Sequence, residues 1–165
     1  MRSAGQVRLA RLLSCAIPAT PDEYFRRLEE RRRLLTAMMA AWDTTCVDVV
    51  VCAVYGLVAP PHWTAGDLFD AGSYAYLANL LGLPAGTVPV TRVQLDEESD
   101  RSAGRDPADR LASRSEHGSA GSPAAVQVIG RPWREDLVLA AMAEIERGTR
   151  SAGSAPRLPA NPALP

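Results

Sequence analysis

Lysine is missing from this sequence: its 18 basic side chains other than His62 and His117 are all arginine. A guanidinium with a pKa above about 12 does not give up a proton at neutral pH, so none of these side chains can stand in for a lysine base. The sequence also contains no Ser-Ser and no Gly-Gly pair. Aromatic residues make up only 5%, and no apolar run approaches the roughly 18 residues of a membrane-spanning helix. The three cysteines, Cys15, Cys46 and Cys52, are odd in number and lack CxxC spacing, which fits a reducing compartment better than a disulfide framework. Leu12-Leu13-Ser14-Cys15 imitates a lipoprotein cleavage box, but the apolar run at 12–17 is shorter than a signal peptide requires. A soluble, cytoplasmic chain is therefore expected. A formal charge of −1 and a pI near 6.1 supply no positive field to attract phosphates, so nucleic acid is not an expected partner.

What is present is an ordinary globular balance, 47% hydrophobic and 22% charged, at a length suited to one domain. Residues 7–17 carry a weak helical period that ends at Pro18. Thr20-Pro21-Asp22-Glu23 reads as a capping box with proline in the first turn, opening a helix that runs to about Trp42. Tyr24, Leu28, Leu35, Met38 and Trp42 form its packing face, and Met38 and Met39 read as core fillers. The arginines at 26, 27, 31, 32 and 33 share that helix with Glu23, Glu29 and Glu30, so the pattern predicts a solvated, self-paired face.

Residues 47–52 are almost all β-branched, the pattern of a strand covered on both faces in a parallel or mixed sheet. In that setting Cys52 reads as a small buried hydrophobe rather than a nucleophile paired with His62. His62, Asp67 and Asp70 follow Pro60-Pro61 with no regular ligand spacing, and a solvated loop is expected there rather than a metal site. Ser73 is positioned to cap a short helix through Tyr74, Leu77, Leu80 and Leu81, with Gly82 as its stop. A second strand follows Pro84-Ala85-Gly86, and Pro89 within it predicts a bulge or an edge position. From 94 to 122 the apolar pattern disappears apart from Leu95 and Leu111, which predicts a polar excursion with one helical turn near 107–114 and an exposed His117. A third strand at 124–129 and a helix from about Trp133 to Arg147, with Leu137, Ala141 and Ile145 on one face and Gly148 as its stop, complete the ordered sequence.

Leu83-Pro84-Ala85-Gly86 with Val88-Pro89-Val90, followed by the run from Val126 through Ile129-Gly130-Arg131-Pro132-Trp133 to Asp136, resembles the C-terminal end of the amidase-signature hydrolases. Upstream, residues 47–54 with Tyr55-Gly56 resemble the strand that precedes these parts in that family. The excursion opening Thr91-Arg92-Val93 points to the fatty-acid amide hydrolase-like branch. The similarity spans about residues 24–146 with its parts in order. It implies an α/β fold, a fragment of the mixed-sheet amidase-signature fold with about three strands and flanking helices.

The same resemblance implies carboxamide hydrolysis without a cofactor or metal, by a serine nucleophile, a bridging second serine and a lysine base. None of this machinery has a counterpart here, so no catalytic residue is assigned and the chain alone is expected to be inactive. In fatty-acid amide hydrolases the segment entering the short helix helps to wall the acyl-chain channel; by resemblance Phe69, Gly72 and Tyr76 fall there, with a packed helix face as the alternative reading. The expected organisation is a lead-in at 1–19, an amidase portion at 20–147 interrupted at 94–122, and a structureless tail at 148–165. The expected partner is the N-terminal catalytic part of an amidase, or a second copy. The alternatives are a non-catalytic interaction module that docks on a separately encoded catalytic half, and a truncated gene product.

Overall fold

The computed structural model describes residues 10, 13–14, 18–58, 60–62, 64–99, 101, 104 and 106–154. Its elements are α1 (Pro21–Thr45), β1 (Val49–Ala53), a 3-10 turn (Phe69–Gly72), α2 (Ser73–Leu81), β2 (Ala85–Arg92), a second 3-10 turn (Leu95–Glu97), α3 (Pro107–Glu116), β3 (Pro123–Gly130) and α4 (Glu135–Ser151). Residues 10, 13 and 14 are helical and exposed. The remainder of the expected lead-in, with Cys15, and the tail from 155 onward lie outside the described residues.

The sheet has the order β1-β3-β2, and both pairings are antiparallel. Side chains alternate across β3, so its two faces meet different helices. On one face Ile129 joins Trp42 of α1 and Ala78 and Leu81 of α2 in a buried cluster, against which Leu35, Met38, Met39, Val50 and Cys52 pack. On the other, Val128 is fully buried and α4 lies over β2 and β3, with Val138 as its buried residue. The result is a three-layer α/β/α unit of the expected class, with β3 as its central strand. The register skips between Pro89 and Thr91 on the outer strand β2, so Pro89 produces the predicted irregularity where a missing ladder donor is tolerated.

The capping box is formed: the Glu23 amide donates to Thr20 Oγ1 at 3.3 Å and the Thr20 amide to Glu23 Oε2 at 3.0 Å. Arg26 pairs with Glu30 at 2.9 Å, while Arg32 and Arg33 share Glu29 at 2.7 and 3.1 Å. The hydrogen bonds from Arg32 and Arg33 lower the Glu29 pKa to about 2. The helix continues past Trp42 to Thr45 and closes on Cys46 in a left-handed conformation.

Several expectations are corrected. Tyr24 and Leu28 do not pack: Tyr24 is 56% exposed. A 25-residue helix is about 37 Å long, whereas the eight-residue strands span about 26 Å, so the first turns of α1 overhang the sheet. Nor is β1 covered on both faces, because α4 lies mainly over its neighbours and Val51 remains 51% exposed. Ser73 does not cap α2, which continues directly from the 3-10 turn with no side-chain cap. Gly148 does not stop α4. Bonds from Arg150 to Glu146 and from Ser151 Oγ to the Arg147 carbonyl carry the helix to Ser151, and Gly153 has the positive φ that ends it.

The excursion is closed at its base, where the Val93 amide donates to the Ser122 carbonyl at 3.0 Å and the Gly121 amide to the Val93 carbonyl at 2.9 Å. Inside it α3 runs for ten residues, well beyond the single turn expected, with the Asp106 side chain accepting from the Ala108 amide at 2.9 Å. Its buried face consists of Ala112, Ser113 and Ser115, too small and too polar to register as an apolar stripe. His117 is exposed, as expected.

Candidate substrate-channel wall

The residues assigned by resemblance, Phe69, Gly72 and Tyr76, lie within two turns of chain where the first 3-10 turn runs into α2. The structure brings them together. The Phe69 and Tyr76 rings are 5.1 Å apart with an interplanar angle of 36°, and the Tyr76 hydroxyl donates to the Phe69 carbonyl. Gly72 is buried beside Tyr76 and a fourth residue, Tyr55; a Cβ at Gly72 would stand 3.2 Å from Tyr55 Cε2 and 3.7 Å from Tyr76 Cε1. Glycine is favoured here by close approach, since its φ of −83° is open to any residue and a Cβ would need Tyr55 to give way by a few tenths of an ångström.

Tyr55 is the residue that the sequence reading did not single out. Its hydroxyl donates to the Leu68 carbonyl at 2.7 Å, and the Gly56 amide donates to the Ala71 carbonyl at 2.7 Å. These bonds fasten the 68–72 turn to the chain leaving β1. Burial, then the neighbouring Tyr76, raises the Tyr55 pKa above its usual value; burial, then Asp70, does the same for Tyr76. Both phenols are therefore neutral donors across the physiological range. The available signal was the Tyr55-Gly56 pair, already part of the family resemblance.

Phe69 and Tyr76 are 42% and 36% exposed, and Leu77 and Leu80 continue the exposed apolar surface along α2. This is an outward-facing aromatic cluster rather than a packed core face. A cleft of about 350 Å³ lies beside it, between Leu68, Ala71 and Tyr74 on one side and Ala108 and Ala112 of α3 on the other. None of Phe69, Gly72 and Tyr76 lines that cleft.

The other polar candidates remain apart. Cys52 packs against the core, with Gln127 Nε2 at 3.5 Å from its sulfur. His62 is exposed, and among the described residues no group of three or more His, Cys, Asp and Glu is arranged to hold a metal ion.

Comparison with known proteins places these observations in one family. The family model described as Amidase matches residues 7–139. The chain is similar to fatty-acid amide hydrolase 1 of Sus scrofa, 32% identical over 148 residues that cover 85% of this chain and 25% of the relative. Fatty acid amide hydrolase 1 of Caenorhabditis elegans is 35% identical over 103 residues, covering 61% of this chain and 18% of its own length. Fatty acid amide hydrolase of Medicago truncatula is 32% identical over 126 residues, covering 71% and 16%. The chain belongs to the amidase family, and it spans a quarter or less of the length of these relatives.

Proposed function

We propose that this chain is the C-terminal portion of an amidase that hydrolyses the carbon–nitrogen bond of carboxamides, fatty-acid amides among them, and that it becomes active only when joined to a catalytic part. The family match over residues 7–139, with relatives named fatty-acid amide hydrolases, carries the reading. The chain supplies a wall. Phe69, Tyr76 and the close-packed Gly72 present an apolar, aromatic surface suited to an acyl chain, and the neutral phenols add no charge there. Serine pair and lysine base are absent from the 165 residues, and arginine cannot substitute for the base.

Turnover of oleamide, an anilide and a simple aryl amide tests this reading. The purified chain should give background rates, and the chain co-expressed with the N-terminal catalytic part of a related amidase should hydrolyse at least one. A protein-dependent rate from the chain alone that disappears when Cys52 or one serine is replaced would overturn it.

The half-covered sheet favours a second reading, a non-catalytic module that docks on a separately encoded catalytic half. It differs from the first in leaving the rate of that half unchanged on binding.

A further inference from the structure

The central strand carries one residue that its packing does not call for. On the face of β3 that meets α1 and α2 the side chains run Ala125, Gln127 and Ile129, and Gln127 is only 5% exposed. A buried primary amide is costly unless its hydrogens find partners. Here Nε2 donates to the Tyr74 carbonyl at 3.2 Å and to Cys52 Sγ, its neighbour across the β1–β3 ladder, at 3.5 Å. Sulfur is a weak acceptor, so the carbonyl is the partner that fixes the direction of the amide.

Tyr74 lies in the first turn of α2, midway between Gly72 and Tyr76. That helix has nine residues and no side-chain cap, too little to hold its first turn by itself. Its contacts with the sheet are of two kinds. Ala78 and Leu81, one and two turns further on, join Ile129 in the apolar cluster; such contacts are non-directional and tolerate sliding along the strand. The bond from Gln127 is directional and sets where along β3 the first turn sits. The hydrogen bonds of Tyr55 and Gly56, to Leu68 and Ala71, hold the turn half of the aromatic cluster. Gln127 holds its helical half.

We propose that Gln127 is a positioning residue for acyl-chain selection: by fixing the first turn of α2 against the sheet it sets the placement of Tyr76 against Phe69, and with it the apolar surface offered to the chain. The inference rests on the reading above, that this face walls an acyl-chain channel. Buried beneath α2, Gln127 acts through the helix and not on the acyl chain itself.

Gln127→Met in the full chain tests it, keeping an unbranched side chain of similar length while removing both donors. In the chain alone, nuclear Overhauser contacts between the Phe69 and Tyr76 rings should weaken and the Gly72 amide resonance should move, with contacts around Ile129 unchanged. In complex with the N-terminal catalytic part of the Sus scrofa relative, kcat/KM for oleamide should fall roughly tenfold through KM, while butanamide, which has little chain to bury, changes by less than about twofold. A merely structural glutamine would instead lower both rates alike, through the amount of folded enzyme, and leave KM where it was. Unchanged ring contacts, or an oleamide KM that does not rise, would overturn the positioning role. The parent supplies a check that needs no folded variant: the side-chain amide hydrogens of Gln127 should exchange roughly tenfold or more slowly than those of glutamine in an unstructured peptide, and exchange at the free rate would overturn the anchor. A parent complex that hydrolyses neither amide would remove the proposed function and the selection role with it, while the ring contacts still decide whether Gln127 positions the helix.

Discussion

Arg131 reaches back 84 residues to the carbonyl of Val47, bonding it through both Nε and Nη2, while Nη1 pairs with Asp43 at the end of α1. One guanidinium thus ties together the exit of β3, the entry of β1 and the last turn of the longest helix. Arg131→Ala would leave a half-buried carbonyl without its donors, at a cost of about 2–3 kcal/mol. Arg131→Lys should recover only part of it, because an ammonium lacks the planar fork that meets one oxygen from two nitrogens. Asp43 is exposed, so Asp43→Asn should change stability by less than about 1 kcal/mol. Urea unfolding of the three variants checks the order. Equal losses for Arg131→Ala and Asp43→Asn would mean that the ion pair, not the carbonyl, is what matters.

The polar excursion should loosen in acid. Glu98 is held below the ordinary carboxylate value by the Ala120 amide and then that of Gly118. For Glu116 burial is the largest influence and acts upward, but hydrogen bonds from Arg101 and Ser99 outweigh it and the net shift is down. A carboxylate whose folded pKa is depressed stabilises the fold fully above its unfolded value, here 4.5, and loses that contribution as pH falls through the lower folded value. Protection of the Ala120 amide, its exchange rate relative to an unstructured peptide at the same pH, should therefore fall below about pH 4.5 while the sheet stays protected, with Glu98→Gln lowering it already at pH 7. Protection at Ala120 that is flat from pH 7 to 3 would show that Glu98 does not hold the loop.

How legible the chain was depended on whether a residue's environment is local. The capping box at Thr20 and Glu23, the left-handed stop at Gly82 and the irregularity at Pro89 are fixed by neighbours in sequence, and each was readable there. Helix α3 was read as one turn because Ala112, Ser113 and Ser115 bury little apolar surface; its place is fixed by Ser99 and Arg101 bonding Glu116 across 17 and 15 residues. The coverage of β1 could not be read, since a run of valines looks the same whether a helix crosses it or stops one strand short. Phe69, Gly72 and Tyr76 came from resemblance alone. Their meeting with Tyr55 depends on a turn folding back on the chain after β1, which no periodicity records.

Two glycines let α4 settle on the sheet, and they should differ in what they tolerate. A Cβ at Gly130 would lie 2.5 Å from Val138 Cγ2, and one at Gly86 would lie 2.2 Å from Met142 Sδ. The second approach is the shorter, but the obstacles differ in kind. Val138 is β-branched, buried and confined to one χ1 well in a helix, so it cannot retreat; Met142 is unbranched and only half-buried, with a thioether that can swing aside. Gly130→Ala is therefore expected to cost about 2–3 kcal/mol and Gly86→Ala about 1 kcal/mol, the reverse of what the bare distances suggest. Val138→Ala should partly rescue Gly130→Ala, giving a double-mutant coupling of about 1 kcal/mol, while leaving Gly86→Ala unrescued. Thermal or urea unfolding of the single and double variants measures it. Equal costs at the two glycines, with no coupling to Val138, would mean that α4 shifts as a body instead of resisting through its side chains.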